Sequence, residues 1–197
     1  MNTQDEMQNK IDKKLLEKRV INFFSGKKEY RSLSNFWERE VIVEGIVYES
    51  GEHCYHGERC RKIGLMSSCQ TRRMELIEYS GTFAKPSPYK TGVEVKKMGG
   101  KKGLKLTDEE MTMWYEMYSE ELQVEICKWK IANYEEVRAD LAKSEDKLLV
   151  HPAMRCNEAK VAGKIWEGKG IVKDGVVSVI GQNRLGNIWM RLRSQDK

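Results

Sequence analysis

Histidine and proline are scarce in this chain, with three of each among 197 residues. The histidines do not make the zincin arrangement, in which two of them lie at i and i+4 with a glutamate between. His53 and His56 are three apart, the only glutamate beside them, Glu52, precedes both, and the third histidine, His151, is far along the chain. A site from Glu52, His56 and His151 is the one combination left open, and the expectation is no bound metal and no cofactor. The five cysteines (Cys54, Cys60, Cys69, Cys127, Cys156) are an odd set without a CxxC pair, which argues against a disulfide framework and a zinc ribbon and leaves reduced thiols. Long apolar runs are missing as well. The best, Val41 to Val47, is short and interrupted, so no membrane span is expected, and the opening MNTQDEMQNKIDKK lacks the apolar core of a signal peptide. A cytoplasmic protein is the expectation. There is no internal repeat and no low-complexity segment.

What is present describes one globular domain with an ordinary core: 40% hydrophobic and 33% charged residues. A net charge of +5 and a pI near 8.8 tilt the chain towards anionic partners such as phosphates or nucleic acid, although both signs are mixed along it. Residues 1–20 are highly charged, with Ile11, Leu15 and Leu16 at helical spacing, and read as a marginal helix or partly ordered arm before a domain over 21–197. Val41 to Tyr48 reads as a hairpin around Glu44-Gly45, after which Ser50 caps a helix. A further helix spans Ser67 to Tyr79 and stops at Gly81, and Pro88 opens the next one at its first position. Met98 to Lys105 is a glycine and lysine loop. Thr107 and Glu110 form a capping box for a helix over Asp108 to Asn133 that buries Trp114, Tyr118, Leu122 and Ile126. The tail offers a strand over Val176 to Ile180, a glycine turn and a terminal helix. The expected fold class is α+β, mostly helical, with the hairpin and the Val176 to Ile180 strand in a small antiparallel sheet.

The densest chemistry lies in SGEHCYHGERCRK, residues 50–62. On a helix, Glu52, His56 and Arg59 share one face, while His53 is turned about 100° from Glu52. Cys54 and Cys60 have cationic neighbours that could activate a thiol, but small residues on a buried face account for them without chemistry. Glu52 is either a first-turn glutamate favoured by the helix dipole or a catalytic carboxylate.

Three separated stretches bear on that choice: Leu33-Ser34-Asn35-Phe36, then Ser50-Gly51-Glu52-His53, then Trp166 followed by Gly181-Gln182-Asn183-Arg184-Leu185-Gly186 and Met190 to Arg193. In this order and rough spacing they resemble the NADAR superfamily, also called YbiA-like, over about residues 22–193. The resemblance implies an N-glycosidase that cleaves between ribose C1′ and a nitrogen. The substrate is either ADP-ribose attached to guanine bases of DNA or a phosphoribosylamino-pyrimidine intermediate of riboflavin synthesis. Glu52 and Trp166 are then the catalytic candidates, and Ser34, Asn35, Phe36, His53, Arg59, Asn183 and Gly186 the substrate-binding ones.

Hydrolysis of an N-riboside passes through an oxocarbenium-like centre that needs a nearby carboxylate and a positioned water, which suits Glu52. Arg59 stands where the family commonly has lysine and reads as a phosphate anchor or a solvated charge. Asn35 can bond a ribose hydroxyl or hold its own turn; Trp166 can stack on a base or fill the core. Asn183 reads as a turn-organising residue that can also contact a ligand. Two positions depart from the family: Gly163 stands where an acidic residue is common, three before Trp166, and Glu167 where a glycine follows it. A second carboxylate is therefore unplaced among Glu58, Glu167 and Asp174. A non-catalytic module that binds ADP-ribose or nucleic acid is the other class of reading. Within the enzyme reading, the lysine loop leans towards DNA, because lysine contacts to phosphate give sequence-independent affinity.

Overall fold

A computed structural model describes residues 3–195. The fold is α+β and mostly helical, and the chain forms two compact units. One runs continuously from Ser34 to Glu135; the other combines the segment up to Leu33 with everything from Glu136 onward. None of the described helices is long and apolar enough to cross a membrane.

The continuous unit begins with a hairpin, β2 (Val41–Val43) and β3 (Ile46–Tyr48), whose turn places Glu44 and Gly45 at φ 49° and 80°. Both turn residues are left-handed, which matches the right-handed twist of the flanking strands and which glycine adopts without strain. Helix α2 (Gly51–Met66) follows, capped by Ser50, and packs against α3 (Gln70–Gly81). The next helix, α4 (Gly92–Met98), starts at a Thr91–Glu94 capping box. Pro88 therefore does not open it: Thr91 and Glu94 satisfy the first free backbone N–H groups, and nothing at Pro88 does.

The helix expected over 108–133 is three pieces in register: α5 (Asp108–Met113), a π-helical turn (Trp114–Tyr118) and α6 (Ser119–Asn133). Its capping box is present, and Trp114, Leu122 and Ile126 are buried, with Tyr118 only half-buried. Each four-residue step overshoots an α-turn by about 40°, so a stripe spaced strictly by four drifts round an α-helix. A wider π-turn takes up part of that drift.

In the other unit, α1 (Thr3–Arg19) runs into β1 (Val20–Asn22), which pairs in parallel with β4 (Leu148–Val150). Between them in sequence lies α7 (Glu135–Lys143); after β4 come α8 (Glu158–Ala162), the hairpin β5 (Lys169–Lys173) and β6 (Val176–Ile180), and α9 (Arg184–Gln195). The expected joint sheet does not form. The Val176–Ile180 strand pairs with β5, through an Asp174-Gly175 turn, and not with the β2–β3 hairpin. Each sheet has two strands, and the parallel β1–β4 pair adds a kind of pairing the antiparallel expectation did not include. The terminal helix packs on β4 with Leu185, Ile188, Trp189 and Leu192 buried, and the Trp189 indole N–H donates to the Leu33 carbonyl at 2.9 Å.

Candidate functional site

The Ser34 to Phe36 stretch and the start of α2 are one assembly. The Asn35 carbonyl accepts the Glu52 N–H at 2.9 Å, satisfying one of the donors that a helix N-terminus leaves free. The Asn35 side chain forms a reciprocal amide pair with Gln123 of α6, at 2.8 and 3.1 Å. A Cβ on Gly51 would lie 3.0 Å from the Asn35 Oδ1, so glycine allows this loop to lie against the helix start. Ser34 is buried; its hydroxyl accepts the Phe36 N–H and its carbonyl accepts the buried Lys130 ammonium at 3.0 Å. Phe36 is half-buried, packs on Gly92 and lies 5.9 Å below the Lys96 ammonium.

On α2 the two histidines do different work. His53 is buried, and both of its nitrogens are engaged. Nε2 lies 2.9 Å from the Tyr89 carbonyl, which can only accept, so Nε2 carries the proton; Nδ1 then accepts the Ser50 hydroxyl at 2.8 Å. His53 thus ties the helix cap to the segment before α4. His56 lies one turn on from Glu52, with Nε2 3.2 Å from the Glu52 carboxylate. Burial lowers its pKa from the usual 6.5, against the pull of Glu52, and Arg59 and Lys96 add to the lowering. The Glu52 side chain retains 12% of its exposure, a carboxylate at the first turn of a capped helix with a small opening to solvent.

Arg59 is buried, and its guanidinium donates to the Gly99 carbonyl. Gly99 has no side chain for a reason: an added Cβ would lie 2.2 Å from the His56 ring. The loop from Met98 is further closed by Tyr79, whose hydroxyl donates to the Met98 carbonyl at 2.7 Å. Lys96, Lys97, Lys101, Lys102 and Lys105 are exposed along α4 and this loop. Glu58, on another face of α2, is fully buried, accepts the Tyr48 hydroxyl at 2.7 Å and is gripped by Arg61 through both oxygens. It is a structural anion beneath the hairpin. Burial pushes the Cys54 and Cys60 thiols up and Cys127 to about 12, the reverse of an activated nucleophile.

The remaining candidates belong to the discontinuous unit. Trp166 is half-buried in the bend between α8 and β5. Asn183, buried at φ 47°, donates from its amide to the Leu149 carbonyl at 2.9 Å and accepts the His151 N–H at 3.0 Å, so it sews β4 to the start of α9. Gly181, at φ 79°, and Gly186 complete the join, because a Cβ on Gly186 would lie 2.1 Å from the Leu149 carbonyl oxygen. The Asn183 N–H donates to the Glu167 carbonyl at 3.1 Å. Asp174 takes the left-handed position of an exposed hairpin turn. Among the described residues, no three of His, Cys, Asp and Glu cluster as metal ligands would.

Lys130 and Gln123 were not singled out in the sequence, yet both hold the Ser34-Asn35 segment. Their signal is a polar residue on a buried stripe: Lys130 continues the face of Ile126 and Cys127.

The fold is that of the YbiA-like proteins. It matches the NMR structure of the E. coli protein YbiA with a TM-score of 0.54 at 21% identity, over 90% of this chain and 84% of that one. No protein-family model and no curated protein sequence matches the chain.

Proposed function

We propose that this protein is an N-glycosyl hydrolase that cleaves a ribose–nitrogen bond and releases ADP-ribose from guanine bases in DNA. The observation that carries the reading is Glu52: a carboxylate at the first turn of α2, slightly open to solvent, on a helix start tied down by Ser50 and the Asn35 carbonyl. Cleavage of an N-riboside develops positive charge at C1′, and a fixed carboxylate stabilises that charge or activates the attacking water. Glu52 takes that role. The exposed lysines 96, 97, 101, 102 and 105 of the same unit supply contacts to nucleic-acid phosphates. Arg59, already committed to the Gly99 carbonyl, serves by shaping the loop that carries those lysines.

The test offers the protein ADP-ribosylated guanine DNA and a phosphoribosylamino-pyrimidine side by side and measures release of the sugar. Release from DNA is expected; release from the pyrimidine alone moves the reading to the small-molecule substrate. Glu52→Gln keeps the shape and loses the charge, so turnover should fall by several orders of magnitude with affinity little changed. Turnover within about tenfold of wild type, a barrier change under roughly 1.4 kcal/mol, would remove Glu52 from the mechanism. Binding of ADP-ribose or DNA by a wild type that releases nothing would make the protein a non-catalytic module.

A further inference from the structure

The polar contact of the His56 ring is with Glu52. Its Nε2 lies 3.2 Å from the Glu52 carboxylate. A carboxylate only accepts, so Nε2 bears the proton and Nδ1 carries a lone pair. Nδ1 is buried and has no hydrogen-bond partner among the described residues. Adding a proton there would bury an unpaired donor and place a cation beside Arg59 of the same helix and Lys96 of α4, with Glu52 the opposing charge. The ring is walled by Tyr55 and Phe83, at centroid distances of 5.6 and 6.1 Å, and backed by Gly99, where a Cβ would come within 2.2 Å of it. The imidazole therefore has one tautomer and little room to turn.

We propose that His56 is the positioning residue of Glu52: its Nε2–H holds one carboxylate oxygen and so fixes the orientation in which the charge meets the ribose. The inference rests on the hydrolase reading above. A carboxylate on a two-carbon stem samples several rotamers, and a ring clamped on both sides removes that freedom before substrate arrives. His56 does not itself touch the reacting atoms in this scheme; it acts through Glu52.

The test compares His56→Leu and His56→Gln on ADP-ribosylated guanine DNA. Leucine fills the space without a donor, so kcat should fall about 10- to 100-fold with KM little changed, the scale of a misplaced catalytic group. Glutamine presents an amide N–H near the position of the imidazole Nε2–H and should restore most of kcat. His56→Leu at wild-type kcat, or His56→Gln as impaired as His56→Leu, would overturn the proposal. Should the leucine variant not fold, imidazole NMR decides: with only three histidines in the chain, His56 can be followed in wild type and in Glu52→Gln. The wild-type ring should be the Nε2–H tautomer at neutral pH, and loss of the Glu52 charge should lower its midpoint further. An unchanged titration would refute the coupling. Wild type that releases no sugar removes the hydrolase reading and this role with it, whereas wild type active, Glu52→Gln dead and His56→Leu at full kcat removes this role alone.

Discussion

Replacing Gly186 by alanine places one methyl group where β4 already is. The added Cβ would lie 2.1 Å from the Leu149 carbonyl oxygen, against ordinary contact from about 3.4 Å, and 2.5 and 2.7 Å from the two side-chain polar atoms of Asn183. Neither neighbour can yield cheaply. Leu149 is paired with Ile21 in the parallel sheet, so moving its carbonyl strains that ladder, and Asn183 is held between the Leu149 carbonyl and the His151 N–H. Overpacking of this kind costs about 1–3 kcal/mol. Loosening the two Asn183 hydrogen bonds adds roughly 1 kcal/mol each. Alanine returns at most about 1 kcal/mol through its better helix propensity. The net expectation is a loss of about 3 kcal/mol, which for a chain of this size lowers Tm by about 6–12 °C. Thermal unfolding followed by circular dichroism measures it, with Gly81→Ala as the control, since nothing lies within 4 Å of a Cβ at that position. A Gly186→Ala protein as stable as wild type would show that the closeness of α9 and β4 is not what this glycine provides.

Glu58→Gln should destabilise by about 2–4 kcal/mol, because it leaves Arg61 and the Tyr48 hydroxyl facing a neutral group in a buried place, while Arg61 keeps Glu44. An unchanged urea midpoint would contradict the buried ion pair. The depressed pKa of His56 predicts a pH dependence of stability: below about 6.5 the unfolded chain takes up a proton that the folded one refuses, so stability falls as pH drops through that window towards the folded-state pKa. His56→Gln should lack this component, and urea titrations between neutral and mildly acidic pH that run parallel for the two proteins would refute it.

Features set by neighbouring residues were legible in the sequence. Glu44-Gly45 gives the hairpin, Ser50 caps α2, Thr107 and Glu110 box the start of α5, and the spacing of Glu52 and His56 places them one turn apart. The start of α4 is written locally too: Thr91 and Glu94 carry the same box, three residues past the Pro88 that the sequence reading placed at its start. What could not be read depends on segments far apart in the chain. Strands β1 and β4 are three residues each and satisfy one another across more than a hundred residues. Arg59 looks like a solvent-facing cation until the loop after Met98 folds back and presents the Gly99 carbonyl to it. The same holds for the glycine and asparagine of GQNRLG, where the motif is visible and its partner, the Leu149 carbonyl, is not.

The parallel pairing of β1 with β4 also orders events in time. Val20–Asn22 leaves the ribosome before the continuous unit, but Leu148–Val150 follows only after the whole stretch from Ser34 to Glu135 has been made, about 6–25 s later at ordinary elongation rates. That stretch is continuous and carries its own packed helices and hairpin, so it can collapse while β1 waits with an unpaired edge. The closure entropy of so long a loop is less costly once the intervening chain is compact. The discontinuous unit is thus completed after the continuous one during synthesis, once α9 has followed β4 and packed on it.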